Sequence, residues 1–170
     1  MFIERFMDNI IINILDTLFK SGVFAVAVGF LLGLIPDILR ARAKKKKAIA
    51  ALKCEIEYCA YLSGQYLEKT SSVGGGPSKF ASFLRYPVIA FQNSFPSILA
   101  ATGVKADIVY RITDYYCQIS ALNNILNHLE SKNFDKNESK LLNDIAKNIA
   151  FECSMQNKST QSLIVSLDDL

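Results

Sequence analysis

The chain has no tryptophan, a single histidine and only 4 prolines in 170 residues. His128 alone leaves no second imidazole to complete a zinc site, and Cys54, Cys59, Cys117 and Cys153 contain no C-x-x-C pair. No G-x-S-x-G, H-E-x-x-H, Walker or Rossmann string occurs, so no motif pairs a nucleophile with a base or cradles a phosphate. Asp107 and Asp114 share a helical face and read as solvated carboxylates. No catalytic residue, metal or cofactor is expected. Glycine is also sparse, at 8 residues, which excludes collagen-like and low-complexity chains. With 51% hydrophobic and 21% charged residues, the chain is no disordered polar tail. Its length suits one ordinary domain.

Charge is missing altogether from residues 21–35, SGVFAVAVGFLLGLI. With residues 17–20 this makes 19 residues, about 28 Å of helix against a hydrocarbon core of about 30 Å. A soluble helix keeps a polar stripe, and this one has none, so the pattern predicts a transmembrane helix over 20–38. A signal peptide carries its basic residues before the apolar run. Here Pro36, Asp37 and a basic block follow it, so cleavage is not expected. Residues 36–53 hold Arg40, Arg42, Lys44, Lys45, Lys46, Lys47 and Lys53 against Asp37, whereas residues 1–20 are net acidic. Basic flanks stay inside. The N-terminus is therefore expected outside a bacterial inner membrane and the C-terminal part in the cytoplasm. The basic run beside the span is expected to face anionic lipid. No interleaved aromatics or recognition motif supports nucleic acid.

Ser21, Ala25, Gly29 and Gly33 recur every four residues on one face of the span, the spacing that close helix pairing in lipid needs. They predict a homo-oligomer or another helical partner. Residues 1–19 show helical periodicity with a broad apolar face, as an interfacial amphipathic helix does. Were this helix to enter the bilayer instead, Asp16 and Lys20 would become intramembrane polar groups.

The remaining chain reads as all-α, because no clean period-2 run of useful length exists outside the apolar segment. A basic juxtamembrane helix is expected over 39–70, with Ile49, Leu52, Ile56, Cys59 and Tyr66 as an imperfect heptad seam. That seam either pairs two copies or docks onto the protein's own bundle. The Gly-rich linker 71–79 precedes a cytoplasmic helical bundle over 80–170. Phe80, Phe83, Tyr86, Phe91 and Phe95 are expected in its core. Pro87 and Pro96 divide that segment, with Ser94 as a helix cap and Pro96 in the first turn. From Val104 to Glu130 the residues Ile108, Ile112, Tyr115, Ile119, Leu122, Leu126 and Leu129 keep helical spacing. Asp135 and Glu138 form a capping-box-like start to a helix bearing Leu141, Leu142, Ile145, Ile149 and Cys153, extending to about Gln161.

Residues Phe91, Asn93, Ser94, Gly103, Ile108, Val109 and Tyr115 resemble a pattern in small bacterial membrane-anchored helical proteins. Some proteins of that kind resemble accessory or effector components of bacterial defence loci. The resemblance brings no activity with it. The functional expectation is a membrane-anchored, non-enzymatic helical interaction or sensor module that self-associates and recruits a cytoplasmic protein partner. The alternative is a self-assembling membrane effector or channel whose bundle gates assembly.

Overall fold

The computed structural model describes residues 22–72, 84–100, 103–131, 135–168 and 170. Among them every regular element is an α-helix: α1 Val23–Ser72, α2 Ile89–Leu99, α3 Ala106–Ser131, α4 Lys136–Cys153 and α5 Lys158–Asp168. Two compact units divide the chain, residues 1–44 and 45–170. The expected interfacial helix over 1–19, most of the glycine linker, Phe80 and Phe83 lie outside the described residues.

In the first unit, Gly22 takes a φ of +72°, a left-handed conformation that a Cβ disfavours, and its carbonyl accepts from Val26 N at 3.1 Å. The α1 helix begins there. It does not stop or restart at Pro36, which sits inside it. Proline leaves Leu32 without its usual i+4 donor, yet the helix continues through it. Among the described residues no helix is long and apolar enough to cross a membrane. The uninterrupted apolar part of α1 runs only from Val23 to Ile35, about 20 Å of rise.

The second unit packs around α3. All seven of its predicted core positions, from Ile108 to Leu129, are buried. They meet the α1 seam of Ile49, Leu52, Ile56, Cys59 and Tyr66, which is buried in the same core. Of the two roles open to that seam, docking onto the protein's own bundle is the one observed. The α1 helix also runs through Gly64, because Ser63 and Tyr66 on either side are fully buried and hold the turn in place.

Three expectations fail locally. Ser94 does not cap α2; the helix starts at Ile89, so Ser94 and Pro96 lie within it. Its cap comes from another helix, as described below. Of the residues expected along α4, Cys153 is buried and Leu142 and Ile149 are half-buried against the core, but Leu141 and Ile145 are exposed, and the other fully buried positions are Ala146 and Ala150. Small residues let α4 approach α3 closely, and this contact outranks the larger side chains. Finally, α4 ends at Cys153 rather than near Gln161. Ser154 leaves the helix with ψ 163°, and its Oγ donates to Phe151 O. Asn157 Oδ1 then accepts from Ser159 N at 2.7 Å and caps α5, whose Leu163, Ile164 and Leu167 return to the core.

Candidate functional site

Three features stand out: an apolar and basic stretch of α1, a buried carboxylate, and a polar cleft on the bundle.

Val26, Phe30, Leu31, Leu32, Leu34, Ile35, Ile38 and Leu39 of α1 are all exposed, Val26 at 73% and Phe30 at 67%. At about 100° per residue these side chains cover roughly 240° of the helix circumference. The remaining sector holds Ala25, Gly29 and Gly33, all exposed, and a Cβ built on either glycine meets nothing within 4 Å. Three of the four predicted helix-packing residues thus share one open strip. Ser21, Asp16 and Lys20 lie outside the described residues. Below this stretch Arg40, Arg42, Lys44, Lys46 and Lys47 are exposed and Lys45 is partly covered. Arg40 meets Asp37 at 3.6 Å, an exposed pair of little energetic weight.

Glu55 is 8% exposed, the one buried charged side chain among the described residues. Its Oε2 accepts from Ala90 N at 2.7 Å, and its Oε1 from Phe91 N at 3.0 Å and Tyr116 Oη at 2.7 Å. Those backbone groups belong to the first turn of α2, which has no side-chain cap of its own. A carboxylate from α1 therefore satisfies orphan donors at the positive end of α2. Phe91 closes over the site, its ring stacked on Tyr116 at 4.2 Å and on Phe95 at 4.7 Å. Burial, then the Glu55 bond, holds the Tyr116 hydroxyl far above its usual pKa. Asn123 completes the clamp: its amide accepts from Tyr86 N and donates to Tyr86 O, each at 3.0 Å. Sequence reasoning missed both residues. The available signal was a single acidic residue lying between Leu52 and Ile56 on an otherwise apolar seam.

A cleft of about 170 Å³ lies between α3 and the start of α5, lined by Arg111, Asp114, Gln118, Glu152 and Thr160 among others. Its cation is committed, since Arg111 donates to Ser166 Oγ at 3.2 Å and Ser159 O at 3.1 Å. Gln118 donates to Asp114 at 3.0 Å. The two arginine bonds tie α5 to α3. His128 is exposed in the last turn of α3. All four cysteines are free; Cys59 and Cys153 are buried, and Cys54 and Cys117 exposed. Among the described residues no group of three or more His, Cys, Asp or Glu is placed to hold a metal.

No known protein family, characterised protein or solved structure matches the chain.

Proposed function

We propose that this protein is a membrane-anchored, non-enzymatic helical interaction module that self-associates and presents its bundle to a cytoplasmic protein partner. The observation that carries this reading is the exposed apolar sleeve of α1, Val26 to Leu39, followed directly by the basic run Arg40–Lys47. Eight large apolar side chains around most of a helix need a cover, and a bilayer supplies one on every side at once. A full crossing takes in residues 17–21 as well, which lie outside the described residues. The basic run places anionic headgroups at the inner boundary, each cation contributing about 1 kcal/mol near the surface. The N-terminus is then outside and the bundle in the cytoplasm of a bacterial cell. Self-association in the bilayer runs through the Ser21, Ala25, Gly29 and Gly33 face. The channel reading depends on Asp16 and Lys20, and no observation favours it.

The test is alkaline carbonate extraction of membranes from cells expressing the full chain. Retention in the pellet is expected, together with a C-terminal reporter enzyme active only on the cytoplasmic side. Complete release into the supernatant rejects the anchor. Flotation of detergent-removed protein on neutral against anionic vesicles reports the lipid preference, which replacement of Lys44–Lys47 by glutamine should weaken.

A further inference from the structure

The α2 helix is the least anchored element of the bundle. It is 11 residues long, a length at which an isolated helix does not hold itself together, and Pro96 inside it withholds a backbone donor from Gln92 O. Only Phe95 and Ile98 of α2 are buried, whereas α5, of the same length, buries Thr160, Leu163, Ile164 and Leu167. Polar ties repeat the contrast. The α5 helix is held by both bonds of Arg111 and by Lys53, whose Nζ donates to the Asp168 carboxylate at 2.6 and 2.7 Å. Among the described residues, every hydrogen bond that ties α2 to another helix ends on one side chain, Glu55. The two ends of the segment differ. On the entry side Asn123 grips Tyr86 through both its backbone groups. On the exit side Gly103 takes a φ of +87°, a conformation open to glycine and strained for a residue with a Cβ.

We infer that α2 is a flap, which opens as a unit from the groove between α1 and α3 while the rest of the bundle stays packed. Glu55 is its latch, the Tyr86 clamp the fixed point before it and Gly103 the hinge after it. Opening breaks the bonds from Ala90 N and Phe91 N, parts the Phe91 ring from Tyr116, and uncovers the two buried side chains of α2. Separating α3 instead uncovers all seven of its core positions together with the α1 seam. The first costs much less than the second, which is the condition for local opening ahead of global unfolding. In the open form Glu55 and Tyr116 keep their mutual bond and face water. The flap therefore controls access to the one buried carboxylate among the described residues. The inference stands on the bundle alone and does not depend on the anchored reading.

The experiment is hydrogen exchange read by mass spectrometry on the detergent-solubilised full chain. After correction for intrinsic rates, peptides within 89–99 should exchange about a hundredfold or more faster than peptides within 112–126. Equal protection of the two overturns the inference. Sub-denaturing urea separates local from global opening: exchange that needs global unfolding rises steeply with urea, because a large surface is exposed, whereas α2 exchange should respond little. Ala150→Leu makes the same separation by substitution. It strains the α3–α4 contact, which flap opening leaves intact, so it should speed α3 exchange about tenfold or more and leave α2 exchange within about twofold. If α2 and α3 accelerate together under urea, α2 opens only when the whole bundle unfolds, and the inference fails. Glu55→Gln tests the latch. It turns one acceptor oxygen into a donor facing backbone N–H groups and should speed α2 exchange about tenfold or more. Tyr116→Phe is the milder variant: it removes one bond to the latch, keeps the ring that Phe91 stacks on, and should speed α2 exchange about threefold or more. Unchanged α2 exchange in both variants overturns the inference. Loss of carbonate retention leaves all these results as they are, so the flap and the anchored reading fail separately.

Discussion

Glu55 should be the most sensitive polar residue in the bundle. Glu55→Ala leaves two backbone donors and a tyrosine hydroxyl without their acceptor in a partly to fully buried site, each a separate cost. We expect a loss of about 3–5 kcal/mol in urea unfolding, because three neutral donors lose their acceptor at about 1–3 kcal/mol each. Tyr116→Phe removes one donor and leaves the other two, so about 1–2 kcal/mol is expected. A double-mutant cycle should show coupling between the two. An exposed glutamate would give less than about 0.5 kcal/mol in the first experiment, and that result would show that the α2 cap is not formed. The thiols give a second test. Burial raises the Cys153 pKa to about 12 and that of Cys59 further. Both stay protonated at pH 8 and are sterically covered, so they resist alkylation. Mass spectrometry of the native chain should show Cys54 and Cys117 modified and the other two unmodified until denaturant is added. Rapid labelling of Cys153 would mean that the α3–α4 contact opens easily.

At the level of elements, α4 turns its core face partly away from the positions its sequence suggests. Its leucines look like the core face, yet Leu141 is 63% exposed while Ala146 and Ala150 are fully buried. Hydrophobic periodicity reports which side of a helix is apolar; it cannot weigh large side chains against small ones when a neighbouring helix comes close. Leu141→Ala should therefore change stability by no more than about 0.5 kcal/mol. Ala150→Leu should cost about 1–3 kcal/mol, because the space it would need is occupied by α3. Thermal unfolding of the two variants decides it, and a larger loss for Leu141→Ala would restore the leucine face. The helix ends follow the same logic. Asp135 caps α4 by accepting from Asn137 N, as its sequence position suggests. In contrast, α2 takes its cap from a residue 35 positions away, beyond what any local motif encodes.

For the whole bundle, the buried hydroxyls and thiols set an alkaline limit. Burial raises the pKa of Tyr66 to about 12, and those of Tyr86, Tyr115 and Tyr116 further. The folded values lie above the unfolded ones, so the neutral forms are favoured in the fold. Their contribution is complete below the unfolded values, 10.0 for tyrosine and 9.0 for cysteine, and is lost as pH rises through the folded ones. Between those limits each group removes about 1.4 kcal/mol per pH unit. The thermal midpoint should hold steady near neutrality and fall steeply above about pH 10, with the absorbance of the four buried tyrosinates appearing in the same transition. Tyrosinate absorbance at pH 10 from all seven tyrosines of a still-folded chain would contradict the burial of these four.

The sequence by itself determined the helical class, the core face of α3 and the asymmetric charge around the apolar stretch of α1. All three arise from short-range pattern: side-chain periodicity along one helix and the order of charges along the chain. It also limited the buried α1 seam to two partners. Which of the two was taken, the cap supplied by Glu55, the Asn123 clamp on Tyr86 and the exposure of Leu141 were decided only by the tertiary structure. Each depends on what a distant segment places opposite the residue. A helix end, a leucine or an acidic side chain has no fixed role until its neighbours set the water, the donors and the space around it.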